Sequence, residues 1–445
     1  MESTDQTVQL SYQSDFEKFE QGLNGEKSTP RHALRRRAFS KFMEMGFPTS
    51  RHEEWRFTNI QPVTKTHFQP VPANQAVSIS LADLESVMLK DVIRVVIVDG
   101  YFSSALSDLK DLPAGVVGES LAAALKQNRP EALIHLGAYT DSSENGFTAL
   151  HAAFSLDGVF LFVPGHTIVE KPIQVIYSTT KRNDPFVAYP RSLFIAGDAA
   201  QVKIVETYFG PGGQGYLTNA VSEVVLGTHA VVEHDRIQLE GENAFHVNTS
   251  SVYQQAGSAY RSNFITLGGL LVRNTLAARL DAEGIECRLN GLSIAHGNQL
   301  IDNHTLLDHL KPNCSSHQVY KAILDGKARG VFNGKIMVHK DAQKTDAKQT
   351  NKTLLLSDDA VIDTKPQLEI FADDVKCTHG ATVGQLDAEH IFYLRARGLD
   401  ESEARDMLTY AFAGEVVGSI GIPELREQID LQIHSRLDRG RKGAV

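Results

Sequence analysis

The hydrophobic and polar positions of this chain change period twice. Between residues 29 and 48, Leu34, Ala38, Phe42 and Met45 recur at helical spacing. Thr29 followed by Pro30 supplies a capping hydroxyl and a proline in the first turn, and Gly46 and Pro48 end the pattern. Arg31 and Arg35 to Arg37 make this helix basic, which reads as a solvated face. A short strand at Ile93–Val98 and helical pieces at Leu121–Lys126 and 147–154 follow. From about residue 158 to 385 the texture changes. Val, Ile, Thr and aromatic residues gather in runs of four to seven, divided by Gly, Asp and Asn, which is strand punctuation. Gly197, Gly227 and Gly257 are spaced by 30 residues, each just ahead of an alternating strand. Later turns at Gly284, Gly326, Ala342, Asp359 and Asp374 are spaced less evenly, the last three every 15 to 17 residues.

A loosely repeating strand–turn unit predicts a solenoid. One unit cannot bury its own apolar side, whereas stacked units share a continuous interior and need covered ends. A β-sandwich is the competing fold, with turns every 8–12 residues and no longer period. Beyond residue 386 the helical period returns. Asp387 caps a segment running to Arg397, with Gly398 as its stop, and Asp400 with Glu403 reads as a capping box. Met407, Leu408, Ala411 and Phe412 mark one face of the next helix. Pro423 opens a last helix carrying Leu425, Ile429, Ile433 and Leu437. These faces exceed what the end of a β-helix needs for cover, so one of them is expected to dock another chain. The division is a mainly helical domain over 1–155, a β-helix over 156–385 and a helical domain over 386–445.

Composition narrows the function. Of 445 residues, 22% are charged and 42% hydrophobic, ordinary for a soluble globular chain. A formal charge of −10 argues against broad nucleic-acid binding. Residues 1–21 are polar and acidic without an apolar targeting core, and the apolar run at 159–163 is too short to span a bilayer. Three cysteines, Cys287, Cys314 and Cys377, make no disulfide framework and point to a reducing compartment, read as the cytoplasm.

The stretch from Asp373 to Ala381 carries the most chemistry. On a strand, Cys377 and His379 point to one side, about 7 Å apart by strand rise, with Asp373 on the same face. Thiolate and imidazole suit Zn, Cu or iron–sulfur chemistry. A closed site needs about four ligands, and the three cysteines lie far apart in sequence. Either a partner chain supplies ligands or there is no metal. Cys287 and Cys314 read as core residues. His229, His234, His246, His304, His309 and His317 are scattered without ligand spacing. Asp358, Asp359, Asp363, Asp373 and Asp374 offer carboxylate pairs for a glycosidase-like site, but most fall at predicted turns. Gly330-Val331-Phe332-Asn333-Gly334-Lys335-Ile336 mimics a P-loop, yet is one residue short and lacks the following Ser or Thr. No complete catalytic constellation is present, so the chain is not read as an enzyme.

Together these residues resemble a known family. Phe371 to Gly384, around Cys377 and His379, is similar to the signature of the SufB/SufD family of the SUF iron–sulfur cluster assembly system, on its SufD side. Phe392 to Leu399, Ala404 and Tyr410 to Ala413 resemble the family's C-terminal helices. Gly330 to Ile336 and Gln349 to Leu356 resemble its late β-helix, and His52-Glu53-Glu54-Trp55-Arg56 its N-terminal region. The sparse cysteines favour SufD over SufB, and nothing reads as a flavin fingerprint.

The resemblance implies a right-handed parallel β-helix flanked by helical domains. It implies pairing with SufB through the β-helix edge and docking of a SufC ATPase on the C-terminal helices, in a complex of one SufB, two SufC and one SufD. The docking candidates are Tyr393, Arg395, Arg397, Met407, Tyr410 and Phe412. A transient cluster or iron would sit at the SufB interface, with His379 and Cys377 as ligand candidates and no cofactor held permanently. A part in iron entry is also implied. An exposed edge allows self-pairing of the isolated chain. The competing readings are a carbohydrate-active β-helix enzyme and a solenoid that only binds proteins.

Overall fold

In the computed structural model the alternating segments wind into a parallel β-solenoid of about 8 turns. The structure describes residues 2–23, 27–72, 79–213 and 215–442, and side chains only over 10–436 of these. Leu437 therefore lies outside the described side chains. Among the described residues, strands form one 11-stranded and one 10-stranded sheet, to which the solenoid coils contribute alternately. Strands Arg191–Ala196, Leu217–Leu226 and Phe245–Gln254 stack in the first sheet; Gln201–Phe209, Val231–Leu239 and Ala259–Thr266 stack in the second. Every such neighbour is parallel. Val221 pairs with Arg191, Phe245 with Leu217, and Leu271 with Phe245, so a coil takes close to the 30 residues seen in the sequence. A sandwich has no such register.

The uneven later turns have a simple cause. Gly197, Gly227, Gly257 and Gly284 all lie where the chain passes from the first sheet to the second, whereas Gly326 and Asp359 lie on the return side. Turns taken alternately from both sides recur at half a coil. The strained position of the first-side turn is left-handed in successive coils, at Ala199, His229, Gly257, Gly284, Asn313 and Lys344. Its N–H donates to the next coil, as Ala199 to the Thr228 carbonyl at 2.7 Å and His229 to that of Ala256 at 2.8 Å. Gly257 thus occupies the left-handed site itself, while Gly227 precedes it and leaves room for the Asp198 backbone, which a Cβ would meet at 2.7 Å.

The interior mixes apolar and polar side chains. Val202, Val232, Tyr260, Cys287 and Ala347 form one buried column of the second sheet, across from Leu276, Leu307 and Ile336 of the first. Beside them the buried Glu206 accepts from the Tyr177 hydroxyl at 2.8 Å and pairs with His234 at 3.1 Å. Arg236 lies between the rings of Tyr208 and Phe264, with its centre 4.7 and 5.2 Å from their centroids. Glu206 has its ion-pair partner and Arg236 its two rings, and such partners are the condition for tolerating a buried charge.

The helices do not plug the ends of the solenoid, as the sequence led us to expect. They lie along its outer faces. Pro30–Met45, capped by the Thr29 side chain, and Gly146–Phe154 join Glu2–Gly22 in an aromatic cluster that includes Tyr12, Phe16, Phe39, Phe42, Trp55, Phe147 and Phe154. This cluster covers the outward Leu217, Phe245, Val247 and Leu271 of the first sheet. The buried face of Pro30–Met45 is His32, Arg35, Ala38, Phe39 and Phe42, so Leu34 points to solvent. Arg35 is not solvated: its guanidinium donates to the Ser155 carbonyl at 3.4 Å, beyond the end of Gly146–Phe154. The expected strand Ile93–Val98 pairs in parallel with Ile173–Ser178 and joins the second sheet.

On the other side, Glu401–Val417 and Pro423–Lys442 cover the outer face of the second sheet. Ala413, Val416, Val417, Leu425, Ile429 and Ile433 pack against Ile237, Ile265, Leu292 and Ile323. A sheet buried on both faces explains the near-continuous apolar runs. Of the two apolar helix faces read from the sequence, the one carrying Leu425, Ile429 and Ile433 is spent on this chain's own sheet. No helix among the described residues is long and apolar enough to cross a membrane.

Candidate functional site

The two ends of the solenoid differ. At the N-terminal end short antiparallel strands blunt the edges: Tyr101–Phe102 pairs with Ile93–Val98, and Val117–Ser120 with Gly158–Val163. At the other end the last rung is Val361–Ile370 in one sheet and Lys376–Gly384 in the other, with no described strand beyond either. Both carry a row of unpaired backbone groups, a ready template for another chain. Exposed apolar side chains gather there: Val361, Ile370, Phe371 and Val383, with Phe371 at 62% exposure. Pro366 in Val361–Ile370 is a proline that only an edge strand accepts readily.

Cys377 and His379 stand on this last rung. Their register partners are Ala347 and Gln349 of Asp346–Leu355, both buried inward, so both side chains belong to the interior face. Cys377 is half-buried against the solenoid core, and His379 is exposed. Burial pushes the Cys377 thiol up, and the charge of Asp346 adds to this. Asp373 is not on the strand but in the preceding turn, so the shared-face argument does not apply to it. Among the described residues no group of three or more His, Cys, Asp or Glu is arranged to hold a metal ion. One thiol and one imidazole fit a soft or borderline metal, but supply half of a tetrahedral set.

The other candidates disperse. Cys287 and Cys314 are free and buried, and burial pushes both thiols up. His304 faces out from the first sheet, 2.9 Å from Asp302 and 3.1 Å from Glu54, whereas His309 faces inward and meets Ser316 at 2.8 Å. Asp363 pairs with Arg329 at 2.6 Å, and Asp358, Asp359, Asp373 and Asp374 sit in turns. The P-loop-like segment is strand Arg329–Val338, with Lys335 bound to Glu369 at 2.8 Å rather than free over a loop. A cavity of about 720 Å³ lies by Trp55, Glu144 and His304, on the outer face and lined by neither Cys377 nor His379.

The helical candidates divide. Tyr393 and Met407 are exposed, beside Phe392 at 74% exposure. The Arg397 guanidinium stacks 4.1 Å over the Tyr393 ring, and Arg395 pairs with Glu401 at 3.3 Å. Tyr410 donates to Asp430 at 2.8 Å, and Phe412 carries the Lys321 ammonium 4.7 Å from its ring. These last two also tie the C-terminal helices to their own neighbours. Sequence reasoning missed the apolar rim Val361, Ile370, Phe371 and Val383; the proline at 366 was the available signal.

Residues 177–412 match the family described as SUF system FeS cluster assembly, SufBD core domain, and residues 6–175 match the SufBD protein N-terminal region. The chain belongs to the SufBD family of iron–sulfur cluster assembly proteins. Among relatives, the iron-sulfur cluster assembly SufBD family protein slr0076 of Synechocystis sp. is 36% identical over 86% of each chain. The iron-sulfur cluster assembly protein SufD of Escherichia coli is 30% identical over 93% of this chain and 95% of its own. Protein ABCI7, chloroplastic, of Arabidopsis thaliana is 28% identical over 95% of this chain and 90% of its own. The core-domain match of the SufBD family thus takes in the open rung, the helix Ala388–Arg395 and the helix Glu401–Val417 as far as residue 412.

Proposed function

We propose that this chain is the SufD-type scaffold subunit of an iron–sulfur cluster assembly complex and works without catalysis of its own. Its open rung pairs with a SufB-type subunit, and its C-terminal helices dock a SufC-type ATPase, in a complex of one SufB, two SufC and one SufD. Iron or a nascent cluster is the cargo. It is held where the rung meets SufB, by Cys377 or His379 or both, with the remaining ligands from the partner. The observation that carries this reading is the place of His379: exposed, on the interior face of the last rung, at the solenoid end where no described antiparallel strand lies over the edge.

Too few donors on an open, apolar-rimmed edge is the arrangement expected of half a site. Co-expression with SufB-type and SufC-type subunits should give one co-eluting complex. Changing His379→Ala should then leave the complex intact and depress cluster formation, followed by visible absorbance and bound iron. Undiminished cluster formation removes the ligand role. A complex that forms but takes up no iron, with or without these side chains, favours a solenoid that only binds proteins.

A further inference from the structure

Directly under His379 in the solenoid interior lies Gln349, its register partner one rung in. Gln349 is 2% exposed. Its Nε2 donates to Gln318 Oε1 at 2.9 Å, and Gln318 Nε2 donates to Thr305 Oγ1 at 2.6 Å. This relay runs away from the open end and uses one N–H of the amide. Its acceptor, Gln349 Oε1, is buried and has no partner. A buried carbonyl oxygen left unmet is destabilising unless something else satisfies it. Gly334 is part of the same arrangement: a Cβ there would come within 2.3 Å of Gln349 Nε2. Both late β-helix motifs, around Gly334 and Gln349, thus meet at one amide. Neighbouring strands lie about 4.8 Å apart, and His379 is the residue of the last rung in register over Gln349.

We propose that Gln349 is a positioning residue for His379. Gln349 Oε1 accepts the hydrogen on one imidazole nitrogen, fixes the tautomer, and turns the other nitrogen with its lone pair toward the open end. Metal-binding histidines are commonly held in this way by an acceptor behind the ring. The purpose of that lone pair rests on the proposed function, whereas the hydrogen bond itself does not.

The test is the His379 tautomer in the full-length chain labelled with ¹⁵N-histidine, read from the imidazole nitrogen shifts, with His379→Asn to assign the signal. One tautomer should dominate in the unmodified chain and in Gln349→Glu, which keeps an acceptor. Gln349→Leu should give the mixture of a free imidazole, and so should Gly334→Ala, which displaces the amide without removing it. Equal tautomer populations in all four proteins, each folded by circular dichroism, overturn the proposal. If Gln349→Leu fails to fold, the contrast between Gly334→Ala and Gln349→Glu decides. In the complex with SufB-type and SufC-type subunits, Gln349→Leu should lower iron affinity about 10- to 100-fold and Gln349→Glu should restore it. Should His379→Ala keep full cluster formation, the ligand role falls while the tautomer result stands by itself.

Discussion

The guanidinium of Arg273 lies 3.8 Å over the ring of Trp55, and this contact joins the N-terminal segment to the solenoid. Arg273 also donates to the Glu54 carbonyl at 2.7 Å and to the Asp302 carboxylate at 2.5 Å. Glu54 in turn meets His304 at 3.1 Å and Asn333 at 3.0 Å. Residues 52–56 therefore pin the helical region across three strands of the first sheet. Their family resemblance has a structural cause in these contacts.

Arg273→Leu should destabilise the chain by about 3–5 kcal/mol, because the buried Asp302 loses its arginine and keeps only His304. The effect should depend on pH. Burial pushes the Asp302 carboxyl up, but the charges of Arg273 and His304 and the hydrogen bonds from His304 and Thr58 outweigh burial and hold it at about 2. A carboxyl depressed below its ordinary value of about 3.9 contributes fully above that pH and loses its contribution as pH falls toward about 2. Urea denaturation across acid pH should show the difference between wild type and variant shrinking in that window.

Thiol reactivity should single out one cysteine. Cys287 and Cys314 are buried and Cys377 is half-buried on the last rung. A thiol reagent should modify Cys377 first in the folded chain and reach the other two only on unfolding. Addition of a SufB-type subunit should protect Cys377. Protection confined to Cys287 or Cys314 would contradict the edge pairing.

The rim of the open rung should matter for partners and not for folding. Phe371→Ser with Val383→Lys changes two exposed side chains. Their effect on the melting of the isolated chain should be small, within about 0.5 kcal/mol for each site. Co-elution with a SufB-type subunit should weaken by about 2 kcal/mol or more if this rim is the centre of the interface.

The two faces of the C-terminal helices should separate in the same way. Leu425 is fully buried against the second sheet, so Leu425→Ala should cost about 2–5 kcal/mol of stability. Met407 is exposed, and Met407→Ala should leave the denaturation midpoint unchanged while lowering affinity for a SufC-type ATPase. A calorimetric titration of each variant with that ATPase checks both.

Local chemistry was readable from the chain. Thr29 and Pro30, Asp387, and Asp400 with Glu403 are caps because a helix start needs acceptors for its free N–H groups, whatever surrounds it. The spacing of Gly197 and Gly227 betrayed the coil because close packing of successive turns leaves no room for a Cβ. The alternation at Cys377 and His379 placed both on one face because strand geometry has a period of two.

What covers each face was not readable, because an apolar stripe does not state its partner. Leu425, Ile429 and Ile433 could equally have faced another protein until the outward Ile237, Ile265 and Leu292 were seen beneath them. Arg35 looked solvated until the helix Gly146–Phe154 arrived over it. That Cys377 and His379 lie on the last rung, with Gln349 behind and no described strand in front, follows from the order in which coils stack. Sequence sets what each short segment will do alone, whereas exposure and companionship are properties of the stack, decided by contacts between residues far apart in the chain.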